Sequence, residues 1–201
     1  MSDFVIENLF PTSIYRTNLV DMGVQEEIDG VINQVQFVET PQHWGKTHKV
    51  NKPKNGDLVF NQDFLHDYNL SVFQTHLKFH VKNYMKKLNI VVADVYKKQS
   101  WITLFEKNDY GHIHNHGTAD IAGAYYYSTN GKDGDIFFSN PNLACSTSIF
   151  KNMQNRVSVN PRVGDLILFP GFLNHGITRN ETDNRRMSIS FNIYFEKEIG
   201  W

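Results

Sequence analysis

Three histidines alternate along one short stretch of the chain: His112, His114 and His116. In an extended strand, alternate side chains point to the same face, so the three imidazoles would lie together. Neutral imidazole is a common side-chain ligand of iron, zinc and copper. The stretch therefore predicts a metal site, and a polar edge strand with chance histidines is the alternative.

A further histidine, His175, follows a strand signal later in the sequence. Gly164 and Asp165 precede an apolar run, LILF, and Pro170-Gly171 follows it. Turn residues on both sides of a short apolar run are typical of a buried strand. In a double-stranded β-helix, a histidine in this position lies opposite the His-x-His strand. We therefore expect His175 to complete the metal site.

The stretch from Arg186 to Phe195 alternates between apolar and polar side chains. Its apolar face predicts packing against a core. Its other face carries Arg186, Ser188, Ser190, Asn192 and Tyr194. Since a guanidinium is suited to bidentate binding of a carboxylate, this polar face predicts an anion site inside a barrel. An ordinary solvent-exposed face is the alternative.

A second candidate strand, from Ile121 to Ser128, separates small from large side chains. Ala122, Ala124 and Tyr126 share one face. Small residues beside a phenol would leave room for a ligand. Because strand tyrosines more often serve packing, this pattern is supporting evidence only.

The remaining chain must position these side chains. Apolar residues at helical spacing predict helices over 24–38 and 66–88. The polar segment 40–57, which contains Trp44, is predicted to be a long loop that serves either as a substrate lid or as a solvent loop. From 90 to 195, short apolar or alternating runs separated by turn signals predict antiparallel strands.

These patterns indicate an α+β, mainly β chain. With 201 residues and 13% aromatic residues, we expect one domain, 1–201. Residues 1–89 would supply N-terminal strands and supporting helices. Residues 90–201 would form the catalytic core, a double-stranded β-helix of the jelly-roll or cupin-like barrel type, with the helices packed on it.

Composition excludes several classes of function. The net charge of −1 gives no electrostatic reason to expect a nucleic-acid partner. No apolar run approaches the ~20 residues of a membrane span, and no secretory signal is recognisable. A single cysteine, Cys145, excludes an internal disulfide and a thiolate zinc cage. A soluble, cytoplasmic protein is the expectation.

Six motifs together resemble the Fe(II)/2-oxoglutarate-dependent oxygenases, especially a branch whose metal motif is His-x-His instead of His-x-Asp. In chain order they are LFPTSIY (Leu9 to Tyr15), HNH (His114 to His116), AGAYYY (Ala122 to Tyr127), GDIFFSNPN (Gly134 to Asn142), GDLILFPGFLNH (Gly164 to His175) and RRMSISFN (Arg185 to Asn192). The ending is also similar to that of the prolyl hydroxylases.

The resemblance implies an iron site and a co-substrate site. The implied Fe(II) ligands are His114, His116 and His175. The residues implied to bind 2-oxoglutarate are Arg186, Ser188 and Tyr126. The implied reaction consumes O2 and 2-oxoglutarate, releases succinate and CO2 and hydroxylates an unidentified substrate, with a peptidyl side chain favoured. His112 would contact the ligands or face the substrate.

Two departures from the family pattern leave alternatives open. Position 116 carries no carboxylate, so Asp120 is a possible substitute ligand, and the family's Asp-Pro-Arg segment reads Asn140-Pro141-Asn142. A cupin metalloenzyme that does not use 2-oxoglutarate, with Asp120 as a ligand, is the main alternative. A β-barrel binding protein without a metal is a second. A helical metalloprotease built on His76 and His80 is excluded, because the segment HLKFH lacks the Glu that such enzymes use as general base.

Overall fold

The computed structural model describes residues 10–41, 44–54, 62–92, 95–142 and 155–196. Cys145, Leu9 of the first motif and parts of the 40–57 segment lie outside the described residues. None of the described helices has both the length and the apolar character needed to cross a membrane.

The described structure contains more strand than helix. The elements in chain order are β1 (Tyr15–Asn18), α1 (Val24–Asp29), a short 3-10 helix (Ile32–Gln34), β2 (Phe37–Glu39), β3 (Lys49–Asn51), α2 (Phe64–Asp67), α3 (Ser71–Lys87), β4 (Val95–Phe105), β5 (Gly111–His114), β6 (Ile121–Ser128), β7 (Ile136–Ser139), β8 (Arg156–Val159), β9 (Asp165–Pro170), β10 (His175–Ile177) and β11 (Arg186–Phe195).

These strands form two antiparallel sheets. The large sheet has the order β1-β9-β6-β11-β4-β3-β2, and the small sheet has the order β5-β10-β7-β8. Side chains of β6 and β9, among them Tyr126 and Phe169, pack against Phe138 of β7 in one buried cluster. The predicted double-stranded β-helix is confirmed, although no ladder among the described residues joins the two sheets into a closed barrel.

The helices cover the outer face of the large sheet. Phe73 and Leu77 of α3 belong to one buried cluster with Ile189 and Phe191 of β11 and Tyr125 of β6. The apolar face of β11 therefore packs against the helices, while its polar face is turned toward the small sheet. This confirms the prediction that N-terminal helices pack on the β-structure.

The predicted helix over 24–38 is wrong beyond its first turns. The helix α1 ends at Asp29, Gly30 follows, and the chain continues into β2. Val38 pairs with Val50, so the β-branched end of this stretch joins the large sheet. Strand pairing thus overrides the helical spacing of its apolar residues.

Two other boundaries differ from the sequence-based predictions. The predicted helix over 66–88 is two helices, α2 and α3, separated at Asn69, whose positive φ of 59° an Asn tolerates better than most residues. The predicted loop over 40–57 contains β3, which pairs with β4 through Val50 and Thr103. A strand of only three residues leaves too short a pattern to recognise in sequence.

A distant carboxylate caps the N-terminus of α3. The preceding residue, Leu70, cannot cap with its side chain. Instead, Glu27 of α1 accepts hydrogen bonds from the backbone N–H groups of Val72 and Phe73, both at 2.9 Å. A negative charge at a helix N-terminus satisfies free N–H groups and complements the helix dipole.

We predict that Glu27→Ala lowers the free energy of unfolding by about 1–2 kcal/mol, as the loss of a helix cap does. Glu26→Ala is the matched control, because Glu26 is exposed and lies next to Glu27 in the same helix. Urea unfolding of both variants measures the difference. Equal midpoints for the two variants would contradict the capping role.

Candidate metal centre and anion pocket

The structure brings three of the histidines together at one end of the small sheet. His114 on β5 lies directly opposite His175 on β10. His116 follows β5, and its backbone N–H donates to the carbonyl of Gly171 at 2.9 Å. Each of the three histidines offers one ring nitrogen, and these three nitrogens lie within 4.8 Å of one another. The Nε2 atoms of His116 and His175 are 3.2 Å apart.

Backbone carbonyls orient two of these rings. The Nδ1 of His114 lies 2.8 Å from the carbonyl oxygen of His112, and the Nδ1 of His175 lies 2.9 Å from that of Leu173. A carbonyl only accepts, so in both rings Nδ1 carries the hydrogen. The Nε2 lone pairs are therefore free to bind a metal, in the arrangement typical of metal-binding histidines.

The cluster also favours neutral imidazoles. Burial lowers the pKa of His116 to about 3, with further contributions from His175 and His114. Burial and the neighbouring His114 lower the pKa of His175 to about 4. Because a metal binds the neutral ring, both side chains are in the competent form at neutral pH.

A buried guanidinium lies on the inner face of the large sheet. Arg186 is 0% exposed, and within the described chain none of its three side-chain nitrogens forms a hydrogen bond. The Phe105 and Tyr126 rings flank it, with centroids 5.1 and 5.0 Å from the guanidinium carbon. Since an unpaired buried charge is costly, this arrangement indicates a pocket for an anion.

The other two residues implied to bind 2-oxoglutarate also lie on this inner face. Tyr126 and Ser188 are directly opposite each other on β6 and β11. Burial raises the pKa of Tyr126, and the adjacent Arg186 partly offsets this effect. The Ser188 hydroxyl lies 2.9 Å from that of Thr103, which also donates to the Ser188 carbonyl at 3.0 Å. The residues present thus fit a carboxylate ligand.

His48 is a neighbour of this pocket that sequence reasoning missed. Its ring stacks on Phe105 at 4.5 Å, with an interplanar angle of 7°. Burial lowers the pKa of His48 to about 4, with smaller contributions from His114 and Arg186. No sequence pattern pointed to His48, because it precedes a three-residue strand inside a stretch that reads as a loop.

The segment around Trp44 borders the metal centre. The Trp44 ring lies 6.3 Å from that of Trp101, which lies 6.2 Å from the His116 ring. Gly45 has a φ of 89°, and a Cβ there would come within 2.6 Å of the His112 ring. Only glycine lets the segment approach so closely. The lid function of this segment stays a prediction.

The two additional ligand candidates lie outside the cluster. The carboxylate of Asp120 accepts a hydrogen bond from the backbone N–H of Phe195 at 2.9 Å, and Asp120 is not part of the three-histidine group. His112 is exposed, and its ring packs edge-on against Tyr110 with centroids 4.9 Å apart. Asn140 and Asn142 stand where the family pattern has Asp and Arg. The Asn140 side-chain oxygen accepts a hydrogen bond from the Asn142 backbone N–H, so this pair closes a turn.

The stability of the metal-free protein should fall as the pH is lowered below about 6.5. His48, His116 and His175 have pKa values of about 4, 3 and 4 in the folded chain, so the unfolded chain binds protons that the folded chain does not. Each imidazole can remove up to ~1.4 kcal/mol of unfolding free energy per pH unit in this range, until the folded imidazoles themselves protonate.

Urea unfolding of chelator-treated protein at several pH values between 7.5 and 5 measures this effect. The free energy of unfolding should depend less steeply on pH in His48→Gln than in the parent protein. This dependence should stay unchanged in His66→Gln, because the His66 side chain is 81% exposed. A His48→Gln slope equal to that of the parent would show that His48 does not contribute.

Comparison with known proteins agrees with the resemblance noted in the sequence. Residues 99–192, from β4 to β11, match the model of a family described as "Putative 2OG-Fe(II) oxygenase". A search of curated proteins gives no match for this chain.

Several solved structures share the fold at low sequence identity. The epimerase SnoN from nogalamycin biosynthesis has a TM-score of 0.64 and 14% identity, over 91% of this chain and 78% of SnoN. HygX from Streptomyces hygroscopicus, with nickel and 2-oxoglutarate bound, has a TM-score of 0.61 and 12% identity, over 90% of this chain and 82% of HygX. A prolyl hydroxylase from Trichoplax adhaerens, in complex with a peptide fragment of hypoxia inducible factor, has a TM-score of 0.58 and 11% identity. The match covers 90% of this chain and 83% of the hydroxylase.

Proposed function

We propose that this protein is a 2-oxoglutarate-dependent oxygenase that hydroxylates a C–H bond of its substrate at the three-histidine centre, because residues 99–192 match the model of the 2OG-Fe(II) oxygenase family. His114, His116 and His175 would hold Fe(II), and Arg186 would bind the distal carboxylate of 2-oxoglutarate. In this proposal, residues 90–201 form the catalytic core and residues 1–89 support it.

The observation that carries the proposal is the buried guanidinium of Arg186, which has no hydrogen-bond partner among the residues that the structure describes. A cupin enzyme that does not use 2-oxoglutarate has no need of a buried cation on this face. The carboxylate such an enzyme would use, on Asp120, is engaged by the backbone N–H of Phe195. Both observations favour the oxygenase over the cupin alternative.

The residues of this chain have distinct tasks in the proposed reaction. When bound, Fe(II) and 2-oxoglutarate supply the oxidising chemistry, in which O2 is consumed, 2-oxoglutarate becomes succinate and CO2, and one oxygen atom enters the substrate. His114, His116 and His175 would supply three ligands to the metal and leave room beside it for the co-substrate. Arg186 donates to the carboxylate, and the flanking Phe105 and Tyr126 exclude water, which strengthens the ion pair.

Two smaller contacts complete the proposed pocket. The Tyr126 phenol and the Ser188 hydroxyl can each donate a hydrogen bond to the same carboxylate. Ser188 must then share its hydroxyl with Thr103, which already lies 2.9 Å away. All three metal ligands are neutral, so the centre carries one negative charge fewer than a site with a carboxylate at position 116.

A peptidyl side chain is the substrate class we propose. The prolyl hydroxylase with the same fold, which binds a peptide fragment, supports this choice. Trp44 and Trp101 border the metal centre and are the proposed substrate contacts.

We also propose a cytoplasmic location, which agrees with a single cysteine in the sequence.

Adding Fe(II) and then 2-oxoglutarate to the anaerobic protein should produce a visible metal-to-ligand charge-transfer band. His175→Ala should abolish the band by removing a ligand. Arg186→Ala should raise the 2-oxoglutarate concentration needed by roughly 100-fold or more, since charge-assisted hydrogen bonds are lost. Arg185→Ala is the matched control, because this neighbouring arginine is exposed and lies near Glu106. Iron binding without a band, and without sensitivity at Arg186, would overturn the use of 2-oxoglutarate.

Asp120→Asn should leave the affinity for Ni(II) unchanged, because an asparagine oxygen can still accept from the Phe195 N–H. Isothermal titration of chelator-treated protein with Ni(II) measures this affinity. The cupin alternative requires a marked loss, since there Asp120 is a ligand. His114→Ala provides the reference for the loss of one ligand in the same experiment.

A further inference from the structure

The inner face of the large sheet is closed at the anion pocket and open beside it. In the pocket, Arg186, Tyr126 and Ser188 are 0%, 1% and 2% exposed. The next residue of β11 on the same face, Ser190, is partly exposed. Strands β4 and β6 flank β11 and the helices cover its other face, so solvent reaches Ser190 through the space between the two sheets. An open space therefore lies above Ser190.

This open space follows one row of side chains across the sheet. Ala124 on β6 lies directly opposite Ser190, and Ser190 lies directly opposite Trp101 on β4. Trp101 is also partly exposed, and Ala124 is 8% exposed. In contrast, Ala122 on the same strand and the same face as Ala124 is 0% exposed. The space is therefore bounded along β6 and lies above Ala124.

Ala124 lies between the anion pocket and the candidate metal centre. On one side, the next inner-face residue of β6 is Tyr126, which forms a wall of the anion pocket. On the other side, Ala122 pairs with Phe169, whose ring centroid lies 4.6 Å from that of His175. Neighbours on one face of a strand are about 7 Å apart. A ligand that extends from the anion pocket to the metal must therefore cross Ala124.

The backbone below Ala124 is held in place, so the size of this side chain sets the height of the space. Strand β6 pairs with β9 on one side and with β11 on the other. The strand also lies close against the layer behind it, because a Cβ on Gly123 would come within 2.6 Å of the Phe191 ring. A larger side chain at position 124 could therefore extend only into the open space.

We propose that Ala124 is a specificity-determining residue for the co-substrate. Its methyl group leaves the room in which the carbon chain of 2-oxoglutarate lies between the metal and Arg186. A larger side chain would fill this room, and an acid that binds only at the metal would still fit. The inference rests on the proposed function and deepens it.

The test is isothermal titration of the Ni(II)-loaded protein with two acids. 2-Oxoglutarate spans the two sites, whereas oxalate chelates a metal through its adjacent carboxylates and is too short to reach Arg186. Ala124→Val and Ala124→Leu enlarge the side chain, and Arg186→Ala removes the other end of the site. Val72→Leu is the matched control for added volume, because Val72 is 38% exposed on α3, which packs on the other face of the sheet.

The two acids should respond differently to the enlarged side chain. We expect the affinity for 2-oxoglutarate to fall about 10-fold in Ala124→Val and about 100-fold in Ala124→Leu, because added methyl groups overfill a closely packed site. The affinity for oxalate should stay at the parent value in both variants and in Arg186→Ala, and Val72→Leu should bind both acids like the parent. Thermal unfolding of the metal-free proteins identifies the folded variants, and Ala124→Val decides if Ala124→Leu does not fold.

Two outcomes would overturn the inference and leave the proposed function standing. One is a folded Ala124→Leu or Ala124→Val that binds 2-oxoglutarate like the parent. The other is an equal loss of affinity for oxalate, which would place the effect of the substitution at the metal. A parent protein that binds oxalate but not 2-oxoglutarate would overturn the proposed function together with the inference, and a parent that does not bind Ni(II) would also overturn the metal site.

Discussion

A buried positive charge that the described chain does not neutralise is the constraint on which this architecture depends. Arg186 is fully buried between the Phe105 and Tyr126 rings and has no hydrogen-bond partner among the described residues. Such a charge is tolerated when a ligand supplies the counter-charge, and the ion pair is then strong because water is excluded. The free-energy cost of burying this charge is therefore offset when a carboxylate binds, which favours carboxylate ligands over neutral ones.

Strand β11 connects this charge to both the stability of the fold and the metal centre. Ile189 and Phe191 on one face are fully buried against the helices, so the strand is held firmly in place. Arg186, on the other face of the same strand, lies in the anion pocket. Because the helices fix the strand, they also fix the separation between the anion pocket and the metal. The helices would thus support the proposed site by packing on the opposite face of β11.

The proposed metal centre would be built from three neutral ligands, and this changes what must surround it. A carboxylate ligand would bring its own charge to the metal, whereas each imidazole brings an outer N–H that needs an acceptor. Backbone carbonyls do this for His114 and His175. Structures with this fold hold molecules as different as nogalamycin RO and a peptide fragment, so the fold alone does not specify a substrate.

The sequence alone determined which side chains can bind a metal and an anion, since alternation along a strand assigns each residue to a face regardless of its partners. That reasoning placed Arg186 opposite the apolar face of β11 and related His175 to the His-x-His strand. Only the tertiary structure decided that Asp120 pairs with the Phe195 backbone, that Glu27 caps α3 and that His48 stacks beside the pocket. These contacts join residues far apart in the chain, and local periodicity carries no information about which distant groups meet.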